Sequence, residues 1–165
     1  MGISDPEEKA WRVHTALGEW TTRVDAKAGF ALTLESAALA GIVALSDKDK
    51  LLSRIDQPAL RVMLWLGVLL LLAAAVLAIL VVSPRLRAGK VKAEARGNFL
   101  YFGHLMHWKP DDLQKAFEYE DFLPVLSHQL VNTSKIVWRK HRFVQHSFAA
   151  AGLGALFVFA AWMLS

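Results

Sequence analysis

Three sets of side chains in this sequence of 165 residues could do chemistry. The first is cationic. Five bases and one acid lie between Arg85 and Arg96, and Arg139, Lys140, His141 and Arg142 form a second cluster. Lys27, Arg96 and Lys140 each neighbour a polar or aromatic position, and Phe99, Tyr101 and Phe102 follow Arg96 closely. An aromatic ring beside a guanidinium suits a nucleobase and its phosphate, so this set points to binding of a small anion. The same bases beside a bilayer would also set topology and touch anionic lipid head groups with no other ligand. The second set is a lone carboxyl, Glu35, inside an apolar run. At bilayer depth such a group costs roughly 3 kcal/mol on insertion scales. It must therefore face other helices or a water-filled path, either as a pore-lining or gating group or as a hydrogen-bonded structural residue. The third set is His104 and His107, three apart, which could share a metal with Glu118 or Glu120 or simply lie at a surface or interface.

Catalysis has no comparable candidates. A phosphate-binding P-loop, a dinucleotide GxGxxG and a GxSxG nucleophile elbow are all absent from the sequence. There is no cysteine, which rules out thiolate chemistry, disulfides and cysteine-ligated zinc. A hydrolase working at bilayer depth would want paired carboxylates, or a serine with a histidine, and only Glu35 is available. No catalytic residue, metal site or cofactor is expected.

The elements that must position these residues are helical and largely embedded in lipid. Hydrophobic residues make up 55% of the chain and mean hydropathy is +0.32, more than a soluble domain of this size carries. The apolar residues are gathered into three runs. Leu60 to Ser83 has one charge, Arg61 at its edge, and Pro84 closes it. At 1.5 Å per residue it is long enough to cross a hydrocarbon core of about 30 Å. Ser147 to Leu164 is uncharged, carries Trp162 where an aromatic belt would anchor it, and has Ala150 and Gly154 at the four-residue spacing that lets helices approach closely in lipid. Ala28 to Ser46 contains Glu35. The expected fold is an all-α integral membrane protein with three transmembrane helices and a membrane-proximal cytosolic helical bundle. Its parts are a cytosolic N-terminal helix (1–27), a first span (28–46), a short outer loop (47–59), a second span (60–83), a cytosolic helical region (84–145) and a third span (146–165).

Flanking bases orient these parts. Arg23 and Lys27 precede the first span, Arg85, Arg87, Lys90 and Lys92 follow the second, and Arg139, Lys140 and Arg142 precede the third. The loop between the first two spans also holds Lys48, Lys50 and Arg54, but the larger basic excess puts the N-terminus in the cytosol and the C-terminus outside. The polar, acidic opening MGISDPEEKAW is unlike a signal peptide, and Pro6 stands where myristoylation would want Ser or Thr. Net charge is +4 and the isoelectric point is about 9.5, yet the bases hug the bilayer, which disfavours a nucleic-acid polymer as partner.

Asp5, Pro6 and Glu8 form a helix start, and Val13, Leu17, Trp20, Val24 and Ala28 continue it as an apolar stripe. No proline interrupts the chain from Trp11 to Ser46, so this helix should run straight into the first span. A helix from about Ala88 to Trp108 is expected after the second span, with new starts at Pro110 and Pro124. From Pro124 the helix should continue unbroken into the third span. Val125, Gln129, Asn132, Ile136 and Phe143 share one of its faces, so Gln129 and Asn132 place amides in an apolar seam, either to fix register or to contact a ligand.

Several segments, in this order, carry a family resemblance. Asp25-Ala26-Lys27-Ala28 opens the first span, Pro84-Arg85 closes the second, and Asn98-Phe99-Leu100-Tyr101-Phe102-Gly103 is an aromatic segment. Gln129, Asn132, Ile136 and Lys140-His141 recur along the last helix. Together they span about residues 10–160, and the chain resembles the transmembrane effectors of Pycsar antiphage systems, PycTM. The resemblance implies a response to cyclic CMP or cyclic UMP made by a partner cyclase, with impairment of the bacterial inner membrane and abortive infection. Lys27, Arg96, Asn98, Tyr101, Asn132 and Lys140 are then the expected nucleotide-binding residues, and Asp25, Glu35 and Gln129 the structural or gating ones. Asp25 and Lys27, two apart, cannot face each other on a helix, so each needs a partner elsewhere, and Asp25 with Lys140 is the expected pair. Three spans cannot enclose a pore alone, so a homo-oligomer is implied. Two alternatives stand beside this reading. One is a constitutive small channel or transporter subunit with Glu35 on the ion path. The other is a scaffold resembling the SLATT family, which recruits a cytosolic partner.

Overall fold

The computed structural model describes residues 5–46, 55–84 and 91–165. Most of the loop expected after the first span, and the bases Arg85, Arg87 and Lys90, lie outside the described residues. Every regular element among those described is a helix: α1 (Pro6–Leu45), α2 (Pro58–Val82), α3 (Val91–Glu94), α4 (Phe102–Leu105), α5 (Pro110–Tyr119) and α6 (Phe122–Met163). Helices α1, α2 and α6 are each long and apolar enough to cross a membrane. The protein is therefore an all-α integral membrane protein with three transmembrane helices.

The two long helices begin on side-chain caps. The Glu7 backbone N–H donates to Asp5 Oδ1 at 3.2 Å, and Pro6 occupies the first helical position, where its missing donor costs nothing. At the start of α6 the Leu123 N–H donates to Asp121 Oδ1 at 3.0 Å, so the helix begins at Phe122 and takes Pro124 into its first turn. With no later breaker, α1 runs for 40 residues and α6 for 42.

The chain divides into two compact units, Met1–Thr22 with Pro84–Trp138, and Arg23–Ser83 with Arg139–Ser165. In the second unit, Val24 and Ala28 of α1, Val81 of α2 and Val144 of α6 form one buried cluster, with Phe143 packed against it. A second cluster joins Leu60 of α2, Ala161 of α6 and Ile55, covered by Ile42, Met63 and Leu64. Helix α2 thus runs antiparallel to α1 and α6. From Val24 to Ile42 along α1 is about 27 Å, which matches a hydrocarbon core of about 30 Å.

The residues withdrawn from the surface repeat every seven. On α6 they are Leu126, Thr133, Lys140, Ser147, Gly154 and Ala161, interleaved with Leu130, Val137, Val144, Ala151 and Val158. On α1 Ala28, Glu35 and Ile42 alternate with Ala10, Leu17, Val24 and Ala31, and on α2 Leu60, Gly67, Ala74 and Val81 alternate with Leu64, Leu71 and Ala78. This is the repeat of left-handed helix packing. It differs from the apolar faces expected above. Of the stripe expected on α1, Leu17, Val24 and Ala28 are buried but Val13 and Trp20 are about half exposed, and on α6 Ile136 is half exposed while Val137 is buried. Small side chains let helices close on one another, and bulky ones are left outside.

Helices α2 and α6 come closest. A Cβ built on Gly154 would lie 2.8 Å from the Gly67 carbonyl oxygen, and one on Gly67 would lie 2.8 Å from the Gly154 carbonyl oxygen. Gly154 was expected to mark a close approach. Its partner Gly67 lies unmarked inside a leucine-rich run.

The first unit is built around Phe99, which is 2% exposed and meets Trp108, Phe117 and Phe122 edge-on with ring centroids 6.2, 5.6 and 5.0 Å away. The helix expected from Ala88 to Trp108 does not form. After α3 the chain turns at Gly97, whose φ of 79° suits a residue without a Cβ. The Asn98 amide then donates to the Glu94 carbonyl at 2.7 Å, and the Trp108 indole N–H to the Ala95 carbonyl at 2.8 Å. These side-chain bonds replace the helical ladder with a compact loop.

Replacing Gly154 with Val should push α2 and α6 apart and destabilise the protein by about 1–3 kcal/mol, read as a lower midpoint in thermal unfolding of the detergent-solubilised protein. Gly152→Ala, two residues away where nothing lies within 4 Å of the new methyl, should be neutral or slightly stabilising.

Candidate functional site

Two polar pairs tie α1 to α6 in the second unit. The Lys140 ammonium donates to both oxygens of Asp25, at 2.6 and 2.8 Å, with side chains 22% and 35% exposed. This is the pairing expected from sequence. Lys140 occupies a seam position of α6, while Asp25 follows the seam residue Val24, so the long lysine side chain closes the gap. Such a charge-assisted, two-point contact is shorter and stronger than a neutral hydrogen bond.

The second pair lies deeper. Glu35 stands ten residues beyond Asp25 on α1, about 15 Å along the axis, which is half of a 30 Å core. It is 2% exposed. The Ser147 hydroxyl, itself wholly buried, donates to Glu35 Oε1 at 2.7 Å. Glu35 Oε2 has no hydrogen-bond partner among the described residues. Glu35 thus faces other helices, as its cost in lipid requires. Ser147 was not picked out from sequence, where it reads only as the first residue of an apolar run. A seven-residue count from Lys140 would have found it.

The residues expected to bind a nucleotide are divided between the units. Arg96, Asn98, Tyr101 and Asn132 belong to the first, and Lys27 and Lys140 to the second. Arg96 and Lys27 are exposed. Asn98 caps α3 through the Glu94 carbonyl, and its own carbonyl lies 3.3 Å from the Trp108 indole nitrogen. Tyr101 packs against the rings of Phe102 and His104, and a Cβ at buried Gly103 would collide with it. The Asn132 amide nitrogen lies 3.3 Å from His128 Nδ1, one turn back on α6. Among the described residues, no hydrogen bond, ion pair or ring contact joins Asn132 to the 96–101 loop. Gln129 likewise bonds along its own helix, donating to Thr133 Oγ1 at 3.3 Å.

His104 does not meet Glu118 or Glu120. Its Nε2 lies 3.9 Å from Glu94 Oε2, and no group of three His, Asp or Glu able to hold a metal occurs among the described residues.

A family model described as the Pycsar effector protein domain matches residues 9–165, nearly the whole chain. No curated protein and no solved structure matches it.

Asp25→Asn should lower stability by about 1–2 kcal/mol, between the values for exposed and buried ion pairs. The exchanged pair Asp25→Lys with Lys140→Asp should recover most of that loss in chemical or thermal unfolding. A swap no better than its single variants would mean the pair contributes little.

Proposed function

The chain belongs to the Pycsar effector family, and from that premise we propose that it opens or assembles in the inner membrane when a cyclic pyrimidine nucleotide reaches it, impairing the membrane and ending the infected cell. Family membership itself carries an antiphage effector role linked to a cyclic nucleotide from a cyclase. The mechanism is our reading, and the observation that supports it is the two-point bond of Lys140 to Asp25.

That bond sits where α1 and α6 enter the apolar stretch, so whatever loosens it loosens the seam below. A cyclic phosphodiester is a single anion whose oxygens can accept from the Lys140 ammonium in place of the Asp25 carboxylate. Lys27 lies two residues further along α1, exposed, and adds a second cation near that end of the helix. In this reading the nucleotide and Asp25 compete for Lys140. The basic flanks support a cytosolic N-terminus, on the side where a cyclase product accumulates. Three spans line no channel alone, so the impairing form is a homo-oligomer.

The competition makes two opposite predictions for dye leakage from proteoliposomes titrated with cyclic CMP and cyclic UMP. Asp25→Asn should lower the nucleotide concentration for half-maximal leakage, and Lys140→Gln should raise it, each by up to roughly tenfold, the equivalent of about 1.4 kcal/mol. Leakage that ignores a panel of cyclic nucleotides would refute the sensing step, and leakage with none present would favour a constitutive channel.

A further inference from the structure

Glu35 is the only ionisable residue of the sequence between Ala28 and Ser46, and neither Val62–Val82 nor Ser147–Leu164 contains another. It is sealed in the seam with one oxygen bonded to Ser147 and the other unpartnered. A buried polar atom without a partner calls for an explanation, and in an apolar interior a leucine or alanine would have packed without one. We propose that Glu35 is the cation-selecting point of the conducting path, the single charged wall that a permeating ion meets at mid-membrane. The inference rests on the proposed membrane-impairing function and names what passes.

Three features of the second unit support this. First, the helix contacts differ in kind. Helices α2 and α6 touch backbone to backbone at Gly67 and Gly154, whereas α1 and α6, besides their shared apolar clusters, are joined by two polar pairs, Asp25 with Lys140 and Glu35 with Ser147. Water can replace polar bonds at little cost, but it cannot replace close apolar packing, so the α1–α6 seam is the one that parts. Second, parting that seam at this level uncovers the unpartnered oxygen of Glu35, with the Ser147 hydroxyl opposite. Third, one turn further along, the surface between the helices is an apolar groove of ≈ 320 Å³ lined by Ala38, Ile42, Leu71, Ala155, Val158 and Trp162 among others. Its wall is apolar and holds no ion. On the other side of Glu35 the cluster of Val24, Ala28, Val81 and Val144 is equally apolar. A path through this stretch therefore has one ionisable group, a carboxyl, to compensate a cation's lost hydration and no basic group to do so for an anion. A carboxylate ring, one Glu35 per protomer, is the arrangement that favours cations in a pore.

The test is a reversal potential across a planar bilayer of phosphatidylethanolamine and phosphatidylglycerol holding the full-length protein. It is measured in a potassium chloride gradient with cyclic CMP or cyclic UMP added. Wild-type current should prefer potassium over chloride by roughly tenfold or more. Glu35→Gln should bring that ratio near one, and Glu35→Asp, which keeps the charge, should retain the preference. A wild-type current without preference, a Glu35→Gln current that keeps it, or a Glu35→Asp current that loses it overturns the inference while leaving nucleotide-driven permeation standing. If Glu35→Gln is silent, a wild type and Glu35→Asp that both prefer potassium still support it. Absence of any nucleotide-dependent current in the wild type overturns both this inference and the function on which it rests.

Discussion

A hydrocarbon core offers no hydrogen-bond partner, so every polar side chain placed there must be answered by another from the same bundle. That constraint organises the transmembrane unit. Glu35 cannot face lipid and is turned into the seam, where Ser147 is the group at its level. Asp25 and Lys140, nearer the end of the apolar stretch, answer each other in the same way. Once these pairs are made, the rotation of α1 about its axis relative to α6 is fixed, and the apolar clusters at either end fall into place around them.

The other helix contact obeys a different rule. Between α2 and α6 there is no polar group to satisfy, and attraction comes only from how closely atoms approach. Gly67 and Gly154 remove side chains where the backbones cross, and Ala161 packs with Leu60 further along the same pair. One neighbour of α6 is thus held by dispersion alone, and the other by apolar clusters together with a few directional bonds.

This division explains what the sequence could and could not disclose. Three spans were legible because their lengths and lack of charge leave few alternatives, and the caps at Asp5 and Pro6 because their chemistry is local. The Asp25–Lys140 pair was legible because charges at the mouth of a span must find partners, and the helical repeat forbids the nearest candidate. The seam itself was legible only in part, through Leu17, Val24 and Ala28. Val13, Trp20 and Ile136, read as interior, are about half exposed, because an apolar stripe does not by itself say which of its residues a neighbouring helix covers. The loop at Gly97 was hidden for another reason. It is made by an asparagine and a tryptophan bonding back to carbonyls that a helix would otherwise use, and local propensity does not reveal a donor that arrives from ten or more residues away.

The seven-residue repeat on α6 also limits how its length could change. Lys140 and Ser147 are one repeat apart, so they meet Asp25 and Glu35 on the same side of the helix. Adding or removing a single residue between them would turn everything beyond it by about 100°. Ser147 would leave Glu35, and Gly154 would leave Gly67. The helix is in this sense phased like a reading frame. A change of seven residues keeps the face but slides Ser147 and Gly154 along the axis by about 10.5 Å, so the length between Lys140 and Ser147 is fixed as well as the phase.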